Sequence, residues 1–267
     1  MKHLIAFDLD GTLAESKQPL QPDMAALLGR MLDIAMIAVI SGGDWPQFET
    51  QLVERLPAGA RLDRLFVMPT TGAKLYRFID RRWTQLYAET FSTDQRDRIL
   101  TALNQAVADA GLVPQHIWGE PIEDRGSQIT FSALGQQAPL AEKQAWDPDL
   151  AKRKALQEKL VAALPDVSIR IGGSTSIDIT GKGVDKAYAI ERLVEASGVA
   201  RDAILFLGDA IYPGGNDDPV RAAGIDTVAV RDPAETASVL RALVAWLEGA
   251  EIRAAGRNHG QGRSHRL

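Results

Sequence analysis

Two aspartates, Asp8 and Asp10, stand one residue apart where the apolar run "HLIAF" gives way to Gly11 and Thr12. Carboxylates this close repel each other, and a cation is the natural remedy. A site built only of oxygens suits Mg²⁺, which keeps several waters and takes one or two carboxylates plus a substrate phosphate. The later stretch "LGDAIYPGGNDDPV" adds Asp209, Asn216, Asp217 and Asp218 to the supply of oxygen ligands. Lys186, at the start of an amphipathic segment, offers positive charge beside a phosphoryl group. Ser41, followed by Gly42 and Gly43, offers a hydroxyl and closely approachable backbone N–H groups, a common cradle for phosphate oxygens. A carboxylate nucleophile, a divalent metal, a lysine and small donors together point to phosphoryl transfer through an aspartyl-phosphate.

These residues lie far apart in the chain, so buried strands must bring them together. "HLIAFD", "MIAVI" (36–40), "RLFVM" (64–68) and "AILFLGD" (203–209) are short continuous apolar runs, the pattern of parallel strands covered on both faces. Helical spacing of Met24, Leu27, Leu28, Met31 and Leu32 places a helix between the first two. Asp44 is positioned to cap the next, and Gly198 to end the one that begins near Lys186. From about Lys74 to Phe131 the rhythm changes to shorter, more alternating segments, "KLYRFI", "RRWTQLYA" and "SQITFSA". Helices are expected at about 93–110 and 148–164, with two further strands at "SIRIG" and "SIDI". The reading is an α/β protein: a doubly wound, Rossmann-like parallel-sheet core over 1–80 and 184–250, interrupted by an inserted α+β domain over 81–183. The segment 251–267, rich in Gly, Arg and His without periodicity, is expected to be a disordered tail. In doubly wound cores ligands bind outside the carboxyl ends of the strands, where Asp8, Asp10, Ser41 and Asp209 all fall.

Taken together, "FDLDGT", Ser41 after the second strand, Lys186 in "GVDKAYAI" and "GD…ND" at 209–217 resemble the four motifs of the haloacid dehalogenase superfamily, in the order of that superfamily. The position of the insert is similar to the branch holding Cof-type sugar phosphatases and eukaryotic-type phosphomannomutases. "GDAIYPGGND" and "GGSTSIDITGKGVDK" resemble the latter. The resemblance implies that Asp8 is the nucleophile and Asp10 the general acid/base, whose backbone carbonyl also binds Mg²⁺. It implies Asp209 as a further metal ligand and Asp217 as a ligand or an anchor behind it. Thr12, Ser41 and the Gly42 backbone would hold phosphoryl oxygens, and Lys186 would neutralise charge. In the insert, Arg125 matches a substrate arginine, and Ser176 and Asp178 match sugar-contacting residues. From its residues alone, Glu123–Asp124–Arg125 reads equally as a surface ion pair. Lys17, Gln136 and Lys143 stand where the mutases carry arginine, the better bidentate phosphate clamp.

Those three departures favour a sugar-phosphate phosphatase as the first reading. A phosphomannomutase interconverting hexose 1- and 6-phosphates is the alternative, and a non-catalytic phospho-ligand sensor a reading of another class. The net charge of −5 gives no general attraction to nucleic acid or anionic membrane. The chain has no cysteine, which excludes disulfides and thiolate metal sites. Without a leader-like segment or a long apolar span, a cytoplasmic protein is expected. Its partners are expected to be a phosphorylated sugar and, in oligomeric state, either none or one identical copy.

Overall fold

The computed structural model describes residues 1–112 and 116–260. In chain order the first elements are β1 (Leu4–Phe7), α1 (Pro22–Ile34), β2 (Met36–Ile40), α2 (Trp45–Gln51), β3 (Leu65–Met68), β4 (Lys74–Ile79) and β5 (Arg82–Ala88). Then come α3 (Thr93–Asp109), β6 (Ile122–Asp124), β7 (Gln128–Ser132), α4 (Leu140–Trp146), α5 (Ala151–Ala163), β8 (Val167–Ile171) and β9 (Ser176–Gly181). The chain closes with α6 (Lys186–Ser197), β10 (Ile204–Gly208), α7 (Asp218–Ala222), β11 (Asp226–Ala229) and α8 (Pro233–Gly260).

Seven strands form one sheet in the order β11-β10-β1-β2-β3-β4-β5. The first five run parallel, and β4 and β5 extend them as an antiparallel hairpin. The inner parallel strands β1, β2, β3 and β10 carry no polar side chain because both faces are covered. Ile5, Phe7, Ile37 and Val39 pack on one side with Met24, Leu28 and Met31 of α1, Phe48 of α2 and Leu240 and Val244 of α8. Leu4, Ala6, Ala38 and Ile40 pack on the other with Ala189, Ile190 and Leu193 of α6. This is the doubly wound α/β arrangement expected from the sequence. Gly198 ends α6 in the left-handed region, at φ 69°, and the Asp44 side chain caps α2 by accepting from Trp45 N at 2.8 Å.

A second sheet, β6-β7-β9-β8, is antiparallel. Its strands alternate strictly, because successive side chains leave opposite faces. Ile129, Phe131, Ile177 and Ile179 pack under Ile99 and Leu103 of α3 and Leu156 and Leu160 of α5. Gln128, Thr130 and Ser132 share the opposite face with their partners Thr180, Asp178 and Ser176, so that face is polar.

Three expectations need correction. β5 lies beyond the boundary drawn at residue 80, yet it pairs with β4 in the main sheet. Both strands of that hairpin are only half covered, and their alternation looks the same in a main sheet as in an insert. α4 adds a helix to the two expected in the insert at about 93–110 and 148–164. It buries none of its side chains and so leaves no apolar periodicity to find. Finally, 251–260 is not a disordered tail: it continues α8, and 261–267 lie outside the described residues. No helix among the described residues is long and apolar enough to cross a membrane.

Candidate active site

The carboxyl ends of β1, β2 and β10 deliver Asp8, Ser41 and Asp209 to one place. Asp217 arrives on the loop before α7 and Lys186 in the first turn of α6. Carboxylate oxygens of Asp8, Asp209 and Asp217 all lie within 4.8 Å of one another. The Lys186 Nζ sits between two of them, 2.7 Å from Asp8 Oδ1 and 2.5 Å from Asp217 Oδ1. Asp217 also accepts from Ala210 N through its other oxygen, at 3.0 Å, which fixes the carboxylate across the loop. Thr12 donates to Asp209 Oδ1 at 3.1 Å. A Cβ on Gly11 would come within 2.6 Å of Asp209 Oδ2, so the turn after Asp10 must be glycine for β10 to bring its aspartate this close.

Burial pushes the Asp8 carboxyl well above the usual carboxylate range, with Lys186 pulling against it and Asp217 and Asp209 adding to it. Burial and the charge of Asp217 push Asp209 up as well. Burial also opposes the Lys186 charge, but Asp217 and Asp8 outweigh it and hold the ammonium above the ordinary lysine range. Three carboxylates facing one ammonium leave buried negative charge uncompensated, which is costly in a low-dielectric setting. An all-oxygen set with that deficit suits a divalent cation of the Mg²⁺ type.

Asp10 contributes no carboxylate oxygen to this cluster. Its side chain turns the other way and accepts from Lys17 N at 2.7 Å, Gln47 Nε2 at 2.9 Å and Gln51 Nε2 at 3.3 Å. The two glutamines are one helical turn apart on α2 and so share a face. Sequence reasoning missed them, although their spacing was visible. Asp10 is thus held apart from the cluster of Asp8, Asp209 and Asp217.

Both groups open into a cavity of about 860 Å³ between the end of the main sheet and the polar face of the second one. Ser41, Gly42, Lys17, Arg125, Gln136, Lys143, Ser176 and Asp178 all line it. Lys17 donates to Gln136 Oε1 at 2.6 Å, and the Gln136 carbonyl also accepts from Lys143 Nζ at 3.2 Å. Burial lowers the Lys17 pKa, and the nearby charges of Lys143 and Arg125 lower it further. Burial lowers that of Lys143 too. Arg125 donates to Glu123 Oε2 at 2.6 Å and to the Gly42 carbonyl. Arg125 is thus ion-paired with Glu123 and also lines the cavity, but it is buried, where a surface pair was expected. Asp178 accepts from Thr130 at 2.8 Å, and burial pushes its carboxyl up. The cavity thus has an acidic pole at Asp8 and a basic pole at Lys17, Lys143 and Arg125. The second pole crosses from the main sheet's loops to the insert.

The model of a family described as eukaryotic phosphomannomutase matches residues 24–245. Phosphomannomutase 1 of Mus musculus is 29% identical over 243 residues, covering 86% of this chain and 88% of its own. Among solved structures, an N-terminally truncated IMP-nucleotidase from Plasmodium falciparum superposes with a TM-score of 0.68 at 16% identity, covering 90% of this chain and 69% of that one. A haloacid dehalogenase-like hydrolase from Bacteroides thetaiotaomicron does so with a TM-score of 0.60 at 14% identity, covering 91% of this chain and all 100% of that one. At these identities the two structures bear on the fold alone.

Proposed function

Because the chain belongs to the eukaryotic phosphomannomutase family, we propose that its site moves a phosphoryl group between O1 and O6 of a hexose phosphate instead of releasing it to water. Phosphoryl transfer on a haloacid dehalogenase fold is common to this reading and to the hydrolase reading that the sequence favoured. The second cationic pole favours the mutase reading. A mutase must hold one phosphate at its nucleophile and the other at a distance, whereas a phosphatase needs only the first. Lys17 and Lys143 meet on Gln136 with Arg125 near by, and this supplies the distant anion site. Gln136 itself is neutral and acts as the frame that spaces two ammonium groups. Of the three positions without arginine, which favoured hydrolysis, Lys17 and Lys143 therefore keep a positive charge and only Gln136 loses one.

The chemistry follows from the acidic pole. Asp8 Oδ1 is engaged by Lys186, leaving the other carboxylate oxygen to attack phosphorus. As that O–P bond forms, the bond from phosphorus to the sugar oxygen breaks, and Asp10 gives its proton to the departing oxygen. Asp10 is held in place by Lys17 N, Gln47 and Gln51, and in the reverse step it takes the proton from the incoming hydroxyl. Ser41 and the Gly42 backbone, in the cavity wall, bind phosphoryl oxygens, and Lys186 balances their charge; Thr12, for which the same role was expected, is instead fully buried and gives its hydroxyl to Asp209. Asp8, Asp209, Asp217 and the Asp10 carbonyl would hold Mg²⁺, which neutralises charge on the transferring group. Ser176 and Asp178 face the sugar from the insert. With nucleophile, proton carrier and lysine all present, the sensor reading has nothing to support it.

The basic pole is tested by Lys143→Ala. Loss of a charged hydrogen bond costs about 1.5–3 kcal/mol, so kcat/KM for hexose 1-phosphate should fall about tenfold or more. Cleavage of an aryl phosphate, which has no second phosphate, should fall much less. Equal loss on both substrates contradicts the assignment.

A further inference from the structure

We propose that Gln128 is a positioning residue: its side-chain amide locks the phosphate-binding loop 41–43 to the insert and completes that loop only when the insert is seated. The consequence for water exclusion rests on the phosphomutase reading; the relay itself does not.

Gln128 begins β7 on the polar face and is fully buried. A buried amide is costly unless its hydrogen bonds are made, and this one makes them across the boundary between the sheets. Its Nε2 donates to the Gly42 carbonyl at 3.0 Å and to Thr130 Oγ1 at 2.9 Å, and its Oε1 accepts from Thr71 Oγ1 at 3.0 Å. Thr71 and Gly42 belong to the core, so the amide is satisfied only while the insert stays in place. Arg125 donates to the same Gly42 carbonyl. The fit is close: a Cβ on Gly42 would sit 3.2 Å from Asp178 Oδ2 and 3.4 Å from Gln128 Nε2.

The core side of the relay is strained. Thr70 and Thr71 have φ of 51° and 59°, and Gly72 follows at 86°. β-Branched residues seldom enter the left-handed region; such a residue persists only when its surroundings over-determine it. Here they do. Thr71 N donates to the Ser41 carbonyl at 2.9 Å and Thr70 N to the Gly43 carbonyl at 2.8 Å, while the Thr71 hydroxyl is held by Gln128. The turn therefore braces the Ser41 loop from behind as Gln128 grips it from above. When the insert lifts, Gly42 loses both donors and the threonine turn loses the contact that offsets its strain. Ser41 then leaves its phosphate-binding position. Water reaches the phospho-aspartate only in the state whose phosphate loop is relaxed, which protects the intermediate while the sugar turns over.

The test is amide hydrogen exchange on the whole enzyme, without substrate, in Gln128→Leu, Thr71→Val and the double variant, alongside turnover of hexose 1-phosphate and an aryl phosphate. Exchange in the segments 41–43 and 70–72 should quicken about tenfold in Gln128→Leu, the scale of one net hydrogen bond, with α3 and α5 unchanged. Thr71→Val should act in the same direction, and the double variant should be no faster than Gln128→Leu, because the two share one bond. Turnover of the sugar phosphate and of the aryl phosphate should both drop about tenfold, because the Ser41 loop serves the transferring phosphoryl group of either substrate. Unchanged exchange at 41–43 in either folded single variant, or turnover unchanged on both substrates in Gln128→Leu, overturns the relay. If the unmodified enzyme yields only free phosphate, the phosphomutase reading fails, and the exchange result still decides the relay.

Discussion

At the scale of single residues, Asp8 and Lys17 make opposite demands on charge, and each gives a prediction. Asp8→Asn replaces the nucleophile by a poor one of the same shape and removes one of three crowded carboxylates. Turnover should fall by at least about 10³-fold, with the folded state retained. Near-normal turnover in the folded variant would falsify the covalent route. Lys17 is depressed by burial and then by Lys143 and Arg125, so in the free enzyme it loses its proton below the ordinary lysine range. A bound phosphate dianion favours the charged form. Sugar-phosphate binding is therefore strongest at pH below the lowered Lys17 pKa and weakens as pH rises through it. The phosphate's own second ionisation, near pH 6, is complete before that window. KM should thus climb on the alkaline side, and Lys17→Arg should flatten the climb because guanidinium stays charged. A flat KM in the unmodified enzyme contradicts this. Asp8, Asp10, Lys186 and Asp209 could be read from sequence because each sits in a short fixed pattern. Gln47, Gln51 and Gln128 could not: a glutamine means nothing until its amide is seen to close a bond to Asp10 or Gly42.

At the scale of elements, α6 ties the site to the core. It carries Lys186 in its first turn and packs Ala189, Ile190 and Leu193 under the sheet. The turn 70–72 presses against it so closely that a Cβ on Gly72, at φ 86°, would lie 2.3 Å from Ala189 Cβ. Gly72→Ala combines left-handed strain with overpacking, at about 1–3 kcal/mol for the packing alone. It should lower the unfolding midpoint and, by shifting α6, also lower kcat; calorimetry and kinetics on the one variant check both. A stability loss with kcat intact would mean that the turn does not set the position of Lys186. The parallel strands and the helices between them were legible because burial on both faces leaves unbroken apolar runs. β5 was assigned to the insert although it pairs with β4 in the main sheet, because half-covered alternation carries no address. α4 went unread because a helix without buried side chains has no period to detect.

At the scale of the molecule, the proposed mutase reaction needs two poles contributed by different parts of the chain. The acidic pole is built wholly by the main sheet and its loops. The basic pole needs Lys17 from the first loop and Lys143, Gln136 and Arg125 from the insert, so it exists only where the two sheets face each other. Sequence showed that these residues were not the mutase arginines, and the hydrolase reading followed. It could not show that two lysines separated by more than a hundred residues converge on one glutamine, because that depends on how the insert sits. The direct measurement is ³¹P NMR of mannose 1-phosphate incubated with the enzyme, Mg²⁺ and a catalytic amount of hexose 1,6-bisphosphate. The 6-phosphate signal should grow to equilibrium while inorganic phosphate stays a small fraction of it. Accumulation of inorganic phosphate with little or no 6-phosphate would contradict the account and return the chain to the hydrolase reading.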